Sequence, residues 1–193
     1  MEDNVFEIVS GTVIISDPDF DESYGQVKLG NVRKGRWIAE VQKENDRIAK
    51  FGCRAIDSDN SVGYYPTGGM VGVDSGQAGI FDIKSYRDNE VCAGIPLDGE
   101  PLTDRGEFYN LCCDITLSKE MFGVVPGGAV SSTGYGDGNY EIHVAKQFDE
   151  VVGILLVFID ENDGDEEDYY DQGEELNIYD DDESYDEDGN LIW

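Results

Sequence analysis

The residues best suited to chemistry lie in a glycine-rich segment and in the strand expected after it. Gly134, Gly136 and Gly138 alternate with Tyr135 and Asp137. Because glycine adopts positive φ and has no side chain, such a segment can bring backbone amides close to a bound group, which Asp137 could orient. The segment does not match the dinucleotide-binding pattern, which requires a helix after the glycines. A complex hairpin loop, in which Asp137 caps its own turn, is the simpler interpretation.

His143, the only histidine, follows this segment. Imidazole exchanges a proton near neutral pH, so His143 could work with Asp74 and Asp137 in a hydrolase. A surface histidine with a structural hydrogen bond is the simpler interpretation, because the alternation places it on the same strand face as an acid. A serine triad could be drawn with Ser75 or Ser131, but no nucleophile-elbow spacing supports it.

Neither a metal site nor a cofactor motif emerges from the spacing of acids and thiols. Residues 184–191 imitate the first eight positions of a calcium loop, but the glutamate required at position twelve would fall beyond Trp193. The four cysteines show no C-x-x-C spacing. We therefore expect no cofactor, no dedicated metal site, and reduced thiols in the core: Cys53, Cys92, Cys112 and Cys113.

Acidic residues dominate the sequence and concentrate at its end. Its 193 residues include 43 Asp and Glu against 13 Lys and Arg, a formal net charge of −30. Residues 160–193 contain 17 of these acids and no lysine or arginine. This charge disfavours nucleic acid and anionic membranes and favours a basic protein. Partner contacts are expected from acids and aromatic residues of this segment: Tyr169, Tyr170, Asp171, Tyr179, Asp180, Asp181, Asp182, Tyr185 and Trp193.

One stretch has the opposite charge. From Lys28 to Arg54, eight bases stand against three acids. Outward-facing, solvated strand faces explain such a stretch most simply. The alternative is that the acidic C-terminal segment, or another acidic ligand, rests on it.

Short strands must position these residues. Twenty-four glycines against five prolines predict many tight turns. Apolar residues alternate with polar ones over 36–41 and 140–144, and residues 43–46 predict a hairpin turn. Residues 151–159 show no polar alternation, which predicts a strand covered on both faces at the centre of a sheet. Residues 104–116 predict a helix with Thr103 as its N-cap and an apolar face: Phe108, Leu111, Cys112 and Ile115.

The predicted fold is therefore mainly β, with α+β as an option. Antiparallel sheets would form a sandwich or a partly open barrel with one or two short helices. We expect a β-rich domain over residues 1–159 and an acidic, partly disordered extension over residues 160–193. The start of the chain does not resemble a signal peptide, and the longest apolar run, nine residues, is too short to span a bilayer. The expected location is the cytoplasm.

Three strings together resemble a known family. They are the Ser10–Pro18 string with Asp17, the Val73–Gly79 string with Asp74, Ser75 and Gln77, and the Ser131–Tyr140 string with the alternating glycines. Over residues 8–159 the chain resembles the DUF4241-type group of uncharacterised bacterial and phage proteins. The resemblance implies a shared β-rich fold and a pocket built from Asp17, Asp74 and Asp137. It implies no mechanism.

Three functional hypotheses follow. The first is a non-enzymatic acidic binding protein that masks a basic partner surface: an immunity protein, an inhibitor or a nucleic-acid mimic. The partner could be a nuclease or a nucleic-acid-binding protein. The alternative is a small-molecule-binding protein or hydrolase that uses the glycine loop with Asp74, Asp137 and His143. In the third, the acidic extension only solubilises the domain or shields its basic stretch.

Overall fold

The computed structural model describes residues 4–21 and 25–160. Strands dominate this part of the chain, and two helices accompany them. In chain order the elements are β1 (Val5–Ile8), β2 (Val13–Ser16), β3 (Val27–Leu29), β4 (Gly35–Glu44), β5 (Arg47–Ala55), β6 (Tyr65–Val73), β7 (Gln77–Asp82), α1 (Asn89–Cys92), α2 (Glu107–Thr116), β8 (Phe122–Val125), β9 (Gly128–Ser132), β10 (Gly138–Gln147) and β11 (Glu150–Val157).

The strands form two antiparallel sheets. A six-stranded sheet has the order β1-β4-β5-β11-β10-β6, and a five-stranded sheet has the order β3-β2-β7-β9-β8. The sheets are not closed into a barrel, so of the two predicted arrangements the structure shows the sandwich. The mainly β prediction is confirmed. β11 lies between β5 and β10 with a partner on each side, which confirms its predicted central position. The predicted cover on both faces is only partial, because Leu155 and Val157 on the outer face are half-buried.

The main hydrophobic core fills the space between the two sheets. Trp37, Phe51 and Leu156 of the six-stranded sheet and Ile15 and Ile80 of the five-stranded sheet are each fully buried in it. Burying one such side chain stabilises a fold by about 1.5–3 kcal/mol. This core holds the two sheets face to face.

A second core lies on the other face of the five-stranded sheet. Phe81 and Val130 project there and pack with Phe108, Leu111 and Cys112 of α2. Every residue of β7 is buried, because that strand has a sheet on one side and helices on the other. The layers therefore run six-stranded sheet, five-stranded sheet, helices. The four cysteines are free and buried, as expected.

The helix begins later than the sequence predicts, and Thr103 is not its N-cap. α2 starts at Glu107 after Gly106, whose φ is 106°. The N–H of Phe108 donates to Oδ1 of Asn89 at 2.9 Å, so a residue distant in sequence caps the helix. The side chain of Asn110 bonds to both the N–H and the carbonyl of Thr103, which holds that residue in the preceding turn. With the short helix α1, the described residues contain two helices, within the predicted one or two.

The glycine-rich segment forms a short loop between two strands. Residues 128–132 form β9, an interior strand that pairs with both β7 and β8. The connecting loop is therefore residues 133–137. β6 and β7, although separated only by a three-residue turn, belong to different sheets. That turn carries the chain from one layer of the sandwich to the other.

Candidate functional site

Asp17, the first residue of the expected pocket, is buried and accepts hydrogen bonds from the turn between β6 and β7. It follows β2 and is 0% exposed. Its Oδ2 accepts from the backbone N–H groups of Asp74 and Ser75 at 2.8 and 2.7 Å. Its Oδ1 accepts from the Ser75 hydroxyl at 2.6 Å and from the Asp19 N–H at 2.9 Å. The carboxylate thus has four donors and fixes the β6–β7 turn, which makes its role structural.

Asp82 plays the same part at the other end of the β2–β7 ladder. Its Oδ2 accepts from the N–H groups of Val9 and Ser10 at 2.6 and 2.7 Å, and its Oδ1 from the N–H of Lys84 at 2.9 Å. Burial alone would raise the pKa of this carboxyl, but these N–H donors, led by Lys84, outweigh it and leave the pKa lowered. No motif or spacing in the sequence singles out Asp82, which ends an apolar strand.

Asp74 and Asp137 do come together, at one end of the six-stranded sheet. Gly138 pairs with Val73, so Asp137 and Asp74 are the next residues outward on adjacent strands. Both have exposed side chains, whereas Asp17 meets Asp74 through its backbone N–H. The expected acids therefore share a neighbourhood, but their carboxylates do not converge on Asp17.

The glycine loop is held by contacts within the domain. Thr133 donates its N–H to the carbonyl of Gly76 at 3.0 Å and its hydroxyl to the carbonyl of Gly136 at 2.6 Å. Arg47 donates to the carbonyl of Gly134 at 3.0 Å, and its guanidinium lies 5.0 Å from the centre of the Tyr135 ring. These contacts account for the loop without a ligand, but the hairpin-loop prediction is wrong, because β9 and β10, the strands that the loop joins, lie in different sheets.

Gln77, predicted from its sequence neighbours to be a loop or ligand-binding residue, lies beneath α2. Its amide oxygen accepts from the Thr116 hydroxyl at 2.9 Å, and its amide nitrogen lies 3.5 Å from Sγ of Cys113. Tyr109 lies beside this cluster, and burial, followed by the neighbouring Cys113, raises the pKa of its hydroxyl. This cluster joins β7 to α2.

His143 is separated from the two acids with which it was grouped. Its Nε2 lies 2.8 Å from Oε2 of Glu141, the acid on the same strand face. In the β10–β6 ladder it pairs with Pro66, whereas Gly138 pairs with Val73. Six residues of extended chain from Asp137 correspond to roughly 20 Å. The structure does not assemble His143, Asp74 and Asp137 into one catalytic arrangement.

A groove lies on the outer face of the six-stranded sheet. It has a volume of about 660 Å³ and is lined in part by Ile38, Glu40, Arg54 and Tyr64. The Arg54 guanidinium lies 4.8 Å from the centre of the Tyr64 ring and donates to two carbonyls of the adjoining loop. Burial raises the pKa of the Tyr64 hydroxyl, and Arg54 opposes that shift. The groove thus combines an apolar side chain, an acid, a cation and an aromatic ring.

Sequence reasoning missed the tip of the β10–β11 hairpin. Phe148 and Asp149 form a two-residue turn with φ of 51° and 68°. Phe148 is 90% exposed, the highest value among the large hydrophobic residues of the described chain. The available signal was a Phe-Asp pair between two strands, where such turns favour Asn-Gly or Asp-Gly.

The remaining predicted contacts lie in residues 161–193, outside the described residues. Within residues 4–21 and 25–160, no three His, Cys, Asp or Glu side chains group as metal ligands. The same part of the chain contains no helix of the length and apolarity needed to cross a bilayer.

Comparison with protein-family models, curated proteins and solved structures gave no significant match. The resemblance to the DUF4241-type group stays a prediction.

Proposed function

We propose that this protein is a non-enzymatic binding protein that masks a basic surface of a partner protein. The observation that carries the proposal is the charge distribution: 17 acids and no bases in residues 160–193, on a chain of net charge −30. Carboxylates can take the place of phosphates opposite Lys and Arg, and aromatic side chains supply interface anchors. An immunity protein, an inhibitor or a nucleic-acid mimic would use these residues in this way.

The contacts of the basic stretch support an external partner. Arg33 donates to Oε2 of Glu150 at 3.1 Å and lies 3.8 Å from Asp57, with only 16% of its side chain exposed. Two further arginines of this stretch, Arg47 and Arg54, donate to backbone carbonyls of the described domain. An acidic segment resting on this stretch would have to compete with those existing partners. These three arginines are thus weaker counterparts for an acidic segment than the cations of a separate basic protein.

The proposed partner is a nuclease or another nucleic-acid-binding protein, because such proteins present the cationic surfaces that carboxylates can cover. Direct binding to nucleic acid or to an anionic membrane is not part of the proposal, since like charges repel. We place the protein in the cytoplasm, a location that its four free cysteines favour.

The test compares three full-length chains as bait in a host lysate. One is the natural chain, one has every Asp and Glu of residues 161–193 changed to Asn and Gln, and one has the natural residues of that segment in scrambled order. We expect the natural chain to retain a basic protein at about 0.05 M salt and to release it near 0.5 M. The neutral variant should not retain it, and the scrambled control separates net charge from residue order. Failure to retain any basic protein, or equal retention by the neutral variant, would overturn the proposal.

No observation favours the hydrolase alternative, because His143 lies roughly 20 Å along β10 from Asp137.

A further inference from the structure

The tip of the β10–β11 hairpin displays an aromatic residue where the backbone disfavours one. Phe148 has φ of 51°, in the left-handed region, where the Cβ of a non-glycine residue crowds the backbone. The β4–β5 hairpin turns with the same signs of φ but uses Asn45 and Asp46, residue types suited to that conformation. Backbone strain of this kind clusters at functional sites. A large apolar side chain that is both strained and exposed contributes little to the stability of its own domain.

The tip is held rigidly from outside its own hairpin. Asn31 donates from Nδ2 to the carbonyl of Asp149 at 2.9 Å and accepts at its carbonyl from the N–H of Val151 at 2.9 Å. Arg33 donates from Nε and Nη2 to Glu150 and from Nη1 to Oε1 of Gln147 at 3.2 Å. A tip that is already ordered loses less conformational entropy when it binds.

Acids surround this tip. Asp149 is exposed and follows Phe148 directly in the sequence. Asp57, whose side chain is 76% exposed, lies 3.8 Å from Arg33, the residue that also bonds to Gln147 beside the tip. The N–H of Asp59, another exposed acid, lies 3.5 Å from Oε1 of Gln147. Two cations lie near these acids: Arg33, which is already paired with Glu150, and the exposed Lys146 at the base of the tip. An apolar residue with an acidic rim has the composition of a binding site for a basic partner.

We propose that Phe148 is the apolar anchor of the interface with the basic partner, inserting into an apolar pocket whose rim carries Lys and Arg. The inference rests on the proposed function and adds a contact site on the folded domain. A second copy of this chain is a poorer occupant, because a two-fold interface at the tip would place the acids Asp57, Asp59 and Asp149 of both copies together.

The test measures affinity for the basic host protein that the natural chain retains at low salt, purified for this purpose. Phe148→Asn removes the ring and introduces a residue suited to the turn, so a loss of binding cannot be assigned to misfolding. Leu117→Asn is the matched control: Leu117 is 73% exposed and lies at the end of α2, beyond the other sheet. We expect Phe148→Asn to weaken binding by at least about 30-fold, as for an interface hot spot, and Leu117→Asn to leave it unchanged.

The other outcomes are distinguishable. Equal affinity of the Phe148→Asn and natural chains would overturn this inference and leave the proposed function standing. If the natural chain retains no basic protein, both fail. Sedimentation that shows a dimer of the natural chain, lost in Phe148→Asn, would overturn the assignment to a basic partner in favour of self-association.

Discussion

Replacing Asp17 by Asn should destabilise the domain strongly while changing its shape little. The carboxylate is fully buried and accepts four hydrogen bonds, two at each oxygen. Asparagine keeps one acceptor oxygen and turns the other position into a donor. If that donor replaces Oδ2, it faces the N–H groups of Asp74 and Ser75. If it replaces Oδ1, it faces the N–H of Asp19, although the Ser75 hydroxyl can rotate to accept from it.

The cost can be estimated from these contacts. The better orientation places the amide nitrogen at Oδ1, where the N–H of Asp19 loses its acceptor at a cost of about 1–3 kcal/mol. The hydrogen bonds from the N–H groups of Asp74 and Ser75 remain but are weaker, because their acceptor no longer carries a charge. Together these effects predict that Asp17→Asn lowers the free energy of unfolding by about 2–4 kcal/mol. Ser75→Ala removes only the hydroxyl donor and leaves the carboxylate three partners, so we expect a loss of about 1–2 kcal/mol.

Urea denaturation followed by tryptophan fluorescence measures both changes, since Trp37 is fully buried in the sandwich core. At a slope of about 2 kcal/mol per molar urea, Asp17→Asn should shift the midpoint downward by about 1–2 M. A loss below about 1 kcal/mol for Asp17→Asn, or an equal loss for Ser75→Ala, would refute the structural assignment. Asp17 would then again be a candidate functional carboxylate, as the family resemblance implies.

Three further predictions concern stability. Because the pKa of Asp82 is lowered in the folded state, its contribution to stability is present above the unfolded pKa of about 3.9 and is lost as the pH falls through the folded value. In acid denaturation, Asp82→Asn should therefore make the free energy of unfolding less dependent on pH in this range. Gly79→Ala would place a Cβ against the buried Phe81 ring and the Ala129 carbonyl and should lower the free energy of unfolding, measured by heat or urea, by about 1–3 kcal/mol, whereas Gly99→Ala, with open space around it, should change it little. Changing Phe148 and Asp149 together to Asn-Gly relieves both positive-φ positions and should raise the melting temperature; an unchanged or lower value would contradict the strain at this turn.

The sequence predicted the strands and hairpins that are specified locally. Period-2 alternation predicts the β10 strand, and unbroken apolar sequence predicts the central position of β11, because side-chain burial follows directly from the faces a strand exposes. The polar residues at 43–46 predict the β4–β5 hairpin for the same local reason. Strong charge asymmetry is also a property of the sequence alone, and the proposed basic partner follows from it.

Only the tertiary structure decided which residues meet. Asp17 and Ser75 are far apart in sequence, and their hydrogen bond exists because β6 and β7 enter different sheets through the turn that Asp17 holds. Asn89 caps α2 for a similar reason, whereas Thr103, the local candidate, is held elsewhere by Asn110. Local pattern fixes how a side chain is buried, but a site depends on contacts between distant segments, and those are set by how the layers pack. His143 and Asp137 therefore lie close in sequence yet apart in space, along one extended strand.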